Sequence, residues 1–238
     1  MDPEQEKCFL RFSLTKPLHP YIIPLQNLFS LHTHPENSIP MKQYMKDQFE
    51  FFGIKSVERR ELTRKFLASY GLPGEKDYDS IIREFWTFPQ REFQYAALDI
   101  LERLVRKIPA SVELLEDLII TKSWWDTVDW LATKIVGFRF SQNPELITPA
   151  YTRWMLSDNI WLQRVCILFQ LKYKQNTDKK LLFSTIQKLS GSKEFFIRKA
   201  IGWALREYSK SNPEGVRKFV DNNDLAPLSR KEALRLLH

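Results

Sequence analysis

The stretch Ser123-Trp124-Trp125-Asp126-Thr127-Val128-Asp129 sets two carboxylates and two indoles within about a turn and a half of helix. Positions i and i+4 of a helix share a face, so Trp125 and Asp129 project side by side, with Trp124 and Val128 in the adjoining row. An aromatic plane beside a carboxylate is a receptor for a cation. The plainer reading makes Trp124, Val128 and Ala132 core residues, Trp125 an amphipathic lid, and both acids solvated.

Two further segments bear on that choice. They are Asn159-Ile160-Trp161-Leu162-Gln163-Arg164 and Lys199-Ala200-Ile201-Gly202-Trp203-Ala204-Leu205-Arg206-Glu207-Tyr208. Weaker matches lie in order along the chain: Pro40-Met41, Tyr44-Met45-Lys46, Glu58-Arg59-Arg60, Lys193-Glu194-Phe195-Phe196 and Leu225-Ala226-Pro227-Leu228-Ser229. On these motifs the chain resembles the AlkD family of HEAT-repeat-like alkylpurine DNA glycosylases, from about His19 to the last helix. The resemblance implies an all-α fold, a curved solenoid of stacked antiparallel helix pairs.

It also implies a chemistry. A purine alkylated at N3 or N7 is cationic and leaves without being protonated, so the remaining task is to stabilise cationic character on the sugar and to position water at C1′. By resemblance Asp129 occupies the family's catalytic aspartate position, and Trp125 and Trp203 match its two aromatic cleft residues. Arg164 matches the cleft arginine, which could clamp a phosphate beside the lesion or hold Asp129 ionised. Asp126 is the rival carboxylate, on another flank, where it could cap or pair locally. With an ordinary pKa near 3.9, Asp129 would stay ionised from about pH 6 to 9. Family members are described as leaving the base in the duplex and gripping the backbone; Tyr44, Arg60, Lys172, Phe196 and Arg206 are the candidates for that contact. No lysine lies between Trp125 and Asp129, the nearest being Lys122 and Lys134, so a monofunctional hydrolase without lyase chemistry is expected.

Helices must position these groups. Apolar residues recur at three and four positions, as in Phe66, Leu67, Tyr70 and Leu98, Leu101, Leu104, Val105, and no alternating strand pattern survives. The spacing predicts about a dozen helices with short connections. Gly53 and Gly71 sit where C-caps belong, Pro89 reads as a helix opener, and Asn212-Pro213 pairs an N-cap with proline at the first helical position. His32-Thr33-His34 reads as a loop between the first two helices. Trp124, Trp161 and Phe196 each open a helix and lie 37 and 35 positions apart, a period that fits two-helix repeats. Such units bend into a groove lined by their second helices.

Composition agrees and excludes alternatives. The 238 residues are 43% hydrophobic, enough for one large domain or an elongated array. Formal charge is +7, but residues 1 to 120 carry 16 Lys+Arg against 18 Asp+Glu, and residues 121 to 238 carry 20 against 11. The C-terminal half, at +9, should therefore face phosphates. Cys166 lies in an apolar run and reads as core, leaving only Cys8, so structural disulfides are not expected. His19, His32, His34 and His238 do not fall at ligand spacing, and no metal or cofactor is expected. No P-loop, dinucleotide turn or nucleophile elbow occurs. No apolar run is long enough to span a membrane, and charges interrupt any secretory h-region. The expected protein is a cytoplasmic monomer acting on duplex DNA with alkylated bases at the nucleoid. Residues 1 to 17 precede the resemblance, as an over-long start or a short arm, and residues 18 to 238 form the repeat domain. The competing class is a non-catalytic HEAT-repeat scaffold for DNA or an acidic protein, which would be expected to lack Asp129 or the cleft tryptophans.

Overall fold

Proline and side-chain caps mark where many of the helices begin. The computed structural model describes residues 17–237; the extension up to residue 16, with Cys8, and His238 lie outside the described residues. The helices are α1 (Ile23–Ser30), α2 (Pro35–Tyr44), α3 (Ser56–Tyr70), α4 (Tyr78–Thr87), α5 (Arg91–Leu104), α6 (Val112–Ile120), α7 (Trp125–Trp130), α8 (Gly137–Gln142), α9 (Ile147–Leu156), α10 (Ile160–Leu168), α11 (Lys179–Leu189), α12 (Phe195–Ser209), α13 (Pro213–Asp221) and α14 (Pro227–Ala233). Among the described residues there is no strand, only a parallel bridge between Glu50 and Gln90. Asn159 caps α10 by accepting from the Trp161 and Leu162 N–H groups at 2.9 and 3.2 Å. Asn212 caps α13 through the Gly215 N–H at 2.9 Å, as its pairing with Pro213 predicts.

Successive helices pack along the stack, α4 with α5, α9 with α10, α10 with α11, α12 with α13 and α13 with α14. The second helices form their own row, in which α3 meets α5, α5 meets α7, α7 meets α10, α10 meets α12 and α12 meets α14. That is the HEAT-like solenoid, and a continuous apolar core runs through it from Ile22 to Ala233. Each fully buried leucine or phenylalanine contributes about 1.5–3 kcal/mol. The helix that starts at Trp125 does not end at Trp130. A π-helical stretch, Leu131–Val136, joins α7 to α8 as one rod, and such wide turns re-aim the side chains that follow.

The sequence expectation fails at two boundaries. α5 opens at Arg91 rather than at Pro89, after Gln90 in extended conformation. Gly53 ends no helix: it lies in the 46–55 connection at φ +89°, where an added Cβ would meet the His34 carbonyl. This connection is anchored by Glu92, which is fully buried and accepts the N–H groups of Phe52, Gly53 and Ile54 at 3.2, 3.0 and 3.2 Å. Burial pushes the Glu92 carboxyl above its ordinary range, and the backbone N–H groups oppose that push.

Gly202, beside Trp203, lets α12 and α14 approach closely: an added Cβ would lie 2.6 Å from the Glu232 Cβ. Gly202→Ala should destabilise the fold by about 1–3 kcal/mol through overpacking, read as a drop of roughly 2–4 °C in Tm per kcal/mol. An unchanged Tm in thermal denaturation would contradict the close packing.

Candidate active site

The three aromatic residues that open helices in successive repeats come together. Trp124 lies 5.8 Å from Trp161 and 5.2 Å from Phe196 between ring centroids, and Trp161 lies 4.9 Å from Phe196. Tilted and edge-on pairs of this kind contribute about 0.5–1.5 kcal/mol each beyond burial. They lock the first turns of α7, α10 and α12 against one another, and the charged groups of the site stand one turn further along.

Asp129 projects from α7 and Arg164 from α10. The guanidinium meets the carboxylate side-on, Nε donating to Oδ1 at 2.7 Å and Nη2 to Oδ2 at 2.8 Å, while Nη1 donates to the carbonyl of Phe196. Side-chain exposure is 5% for Arg164 and 16% for Asp129, so the pair is largely dry but the carboxylate keeps an open edge. Burial pushes the Asp129 carboxyl above its usual range; Arg164 pulls it down and Asp126 adds to the rise. The sequence expectation of an ordinary pKa is corrected accordingly, since burial acts more strongly on the carboxyl than the arginine beside it. Of the two roles expected of Arg164, the geometry places it on Asp129. Each of its three nitrogens donates within the protein, two to Asp129 and one to the Phe196 carbonyl.

Asp126 takes the opposite direction. Arg91, fully buried at the start of α5, donates to its two oxygens at 2.8 and 2.9 Å and to Thr127 Oγ1 at 2.8 Å. Tyr95 Oη donates to Asp126 Oδ2 at 2.7 Å, and the ring of Phe49 covers the Arg91 guanidinium at 3.7 Å. Sequence reasoning missed Arg91, Tyr95 and Glu92. A signal existed: Arg91 precedes Asp126 by 35 positions and Asp129 precedes Arg164 by 35, the same offset as one aromatic repeat.

The remaining candidates are placed as follows. Trp125, half-buried, meets the ring of Tyr44 edge-on at 5.8 Å, and Tyr44 is 67% exposed. Tyr44 and the exposed Arg60 also border a cavity of about 510 Å³, lined further by Met41, Met45, Tyr95 and Trp130. Trp203 stands half-buried on α12, packed against the core. Lys172 is exposed, beside a second cavity with Arg106, Lys134 and Tyr173. Phe196 belongs to the aromatic trio and Arg206 is paired with Glu232 on α14. Both nearby lysines are engaged. Lys122 donates to the carbonyls of Thr87 and Phe88, with its pKa lowered by burial and then by Arg91, and Lys134 donates to Glu102 at 2.9 Å.

Among the described residues no three His, Cys, Asp or Glu side chains are grouped to hold a metal ion, and no helix is long and apolar enough to cross a membrane. A family model for DNA alkylation repair enzymes matches residues 25–237. The chain belongs to the DNA alkylation repair enzyme family. A solved structure described as a predicted DNA alkylation repair enzyme from Enterococcus faecalis is similar, with a TM-score of 0.79 and 32% identity, over 86% of this chain and 96% of that one. No curated protein matches. As a member of the DNA alkylation repair enzyme family, the protein acts in repair of alkylated DNA.

The buried Asp129 yields a direct check. Because its folded pKa is raised above the unfolded value, its contribution to stability is full below the unfolded pKa and is lost as pH rises through the folded one. Carboxyl-carbon NMR of the free protein should find Asp129 titrating above the ordinary value of about 3.9. A midpoint at or below that value would mean that Arg164 outweighs burial.

Proposed function

We propose that this chain is a monofunctional DNA glycosylase that hydrolyses the N-glycosidic bond of cationic N3- and N7-alkylated purines in duplex DNA. The observation that carries the reading is Asp129: a largely buried carboxylate, oriented by two donors of Arg164 and one helical turn from Trp125. A negative charge fixed in such a place stabilises positive charge that develops nearby in a transition state, with little reorganisation.

The electron pair of the breaking C1′–N bond moves to the base, which departs neutral because it began as a cation. Positive charge is left on the sugar, beside Asp129. Water adds at C1′ and releases its proton through Asp129 to solvent, leaving an abasic site. No step needs a general acid. Trp125 and Trp203 hold the cationic base or the deoxyribose by their ring faces, with Tyr44 at the rim of Trp125. Arg60 and Lys172 contact phosphates; Arg206, paired with Glu232, contributes less. The duplex keeps its base stacked while the second helices grip the backbone. Engagement of Lys122 and Lys134 with protein acceptors supports hydrolysis over a Schiff-base route. The presence of Asp129 together with Trp125 and Trp203 favours the enzyme over a scaffold without activity.

Purified protein incubated with methylated duplex DNA should release 3-methyladenine or 7-methylguanine, detected by chromatography, and leave an unbroken strand. Asp129→Asn should lower the rate by about 10²–10³-fold, as loss of one transition-state contact does. Activity should fall on the acid side as pH drops through the raised Asp129 pKa, with no basic-limb loss up to about pH 9. Release of no base by folded wild-type protein, or a covalent adduct trapped by borohydride, would overturn the assignment.

A further inference from the structure

The rod that carries Asp129 bears a second buried carboxylate, Asp126, three residues earlier. Residues three apart on a helix are neighbours, with Cβ atoms about 5–6 Å apart. Each carboxylate is held by a guanidinium from the adjoining repeat, Arg91 on α5 for Asp126 and Arg164 on α10 for Asp129. The result is a row of four charged groups across three repeats: guanidinium, carboxylate, carboxylate, guanidinium. The two negative members are adjacent.

We propose that Asp126 is a positioning residue for the reaction at Asp129: its buried, Arg91-held charge orients the first turn of α7 and makes the potential around the neighbouring carboxylate more negative toward a cation beside it. The inference rests on the glycosylase reading for its role in chemistry, but the coupling between the carboxylates stands on geometry alone. Asp126 has 7% side-chain exposure and Arg91 none, so little water screens the interaction. Asp126 does not face the substrate, since both of its oxygens are occupied by Arg91 and one also by Tyr95.

Few other charges reach Asp129. On its own helix the near group is Asp126; α10 supplies Arg164; α5 supplies Arg91 and Tyr95, both turned to Asp126. From α12 comes the Phe196 carbonyl, bound to Arg164, while Arg198 donates to the Ser192 carbonyl at 2.8 Å and Lys199 to Glu232 at 3.3 Å. Two substitutions therefore separate charge from packing. Asp126→Asn removes the adjacent negative charge. Tyr95→Phe keeps that charge and removes a donor that partly neutralises it.

The test is the titration midpoint of Asp129, read by carboxyl-carbon NMR on the free, full-length protein, together with the acid limb of base release from methylated duplex. Asp126→Asn should move the midpoint down by about half a pH unit. Tyr95→Phe should move it up by a smaller step, and this variant serves alone if Asp126→Asn, which leaves Arg91 buried without its partner, does not fold. The acid limb should follow the midpoint in each case. A midpoint that stays in place in whichever variant folds, or moves the same way in both, overturns the coupling. A limb that does not follow the midpoint overturns the role in chemistry. Failure of wild-type protein to release any base strikes the glycosylase reading instead, while the midpoint shifts still decide the coupling.

Discussion

A buried guanidinium must meet its carboxylate, and this structure depends on that requirement being met between repeats. Arg91 reaches Asp126 and Arg164 reaches Asp129 from the adjoining second helices, and Arg59 pairs with Asp99 nearer the N-terminus in the same way. Removing either partner of such a pair costs about 3–5 kcal/mol, because the survivor is left desolvated and unpaired. A repeat displaced by one turn would strand several charges at once. The register of the stack is thus set as much by these pairs as by the apolar core, and the site inherits its precision from them.

Pairing of the same kind decides which positive side chains are open to a polyanion. Residues 121 to 238 carry an excess of 9 positive charges by sequence. Arg164, Arg206, Lys134 and Lys199 are nevertheless held by Asp129, Glu232 and Glu102. Among exposed side chains, Lys172 in this half and Arg60 in the N-terminal half each stand beside a cavity. In the proposed mechanism, affinity for DNA and stabilisation of charge at the sugar are therefore carried by different residues.

Much of this was legible in the chain. Trp125 and Asp129 are four positions apart, and that spacing alone puts them on one helical face. The 37- and 35-residue offsets among Trp124, Trp161 and Phe196 marked the repeat, because an equivalent position in stacked units meets its counterparts. Other features were hidden by their dependence on tertiary contact. Arg91 and Glu92 are adjacent in sequence but serve opposite neighbours, one bound to Asp126 and the other to the backbone at Phe52 to Ile54, and nothing local marks them as buried. Gly53 looked like a helix end because a positive φ suits both a cap and a tight connection. The pairing of Arg164 with Asp129, and its further bond to the Phe196 carbonyl, depend on contact between α7, α10 and α12 that no local pattern marks.

The central claim is that Asp129 stabilises a positive charge on the sugar. The most direct measurement is affinity for duplex DNA containing a cationic pyrrolidine analogue of the sugar, compared with the same duplex containing its neutral, isosteric tetrahydrofuran analogue. The account predicts tighter binding of the cationic analogue by about a hundredfold or more, in keeping with transition-state mimicry, and loss of that preference in Asp129→Asn with neutral-analogue affinity retained. Equal binding of the two analogues by wild-type protein, or a preference that survives the substitution, would contradict it.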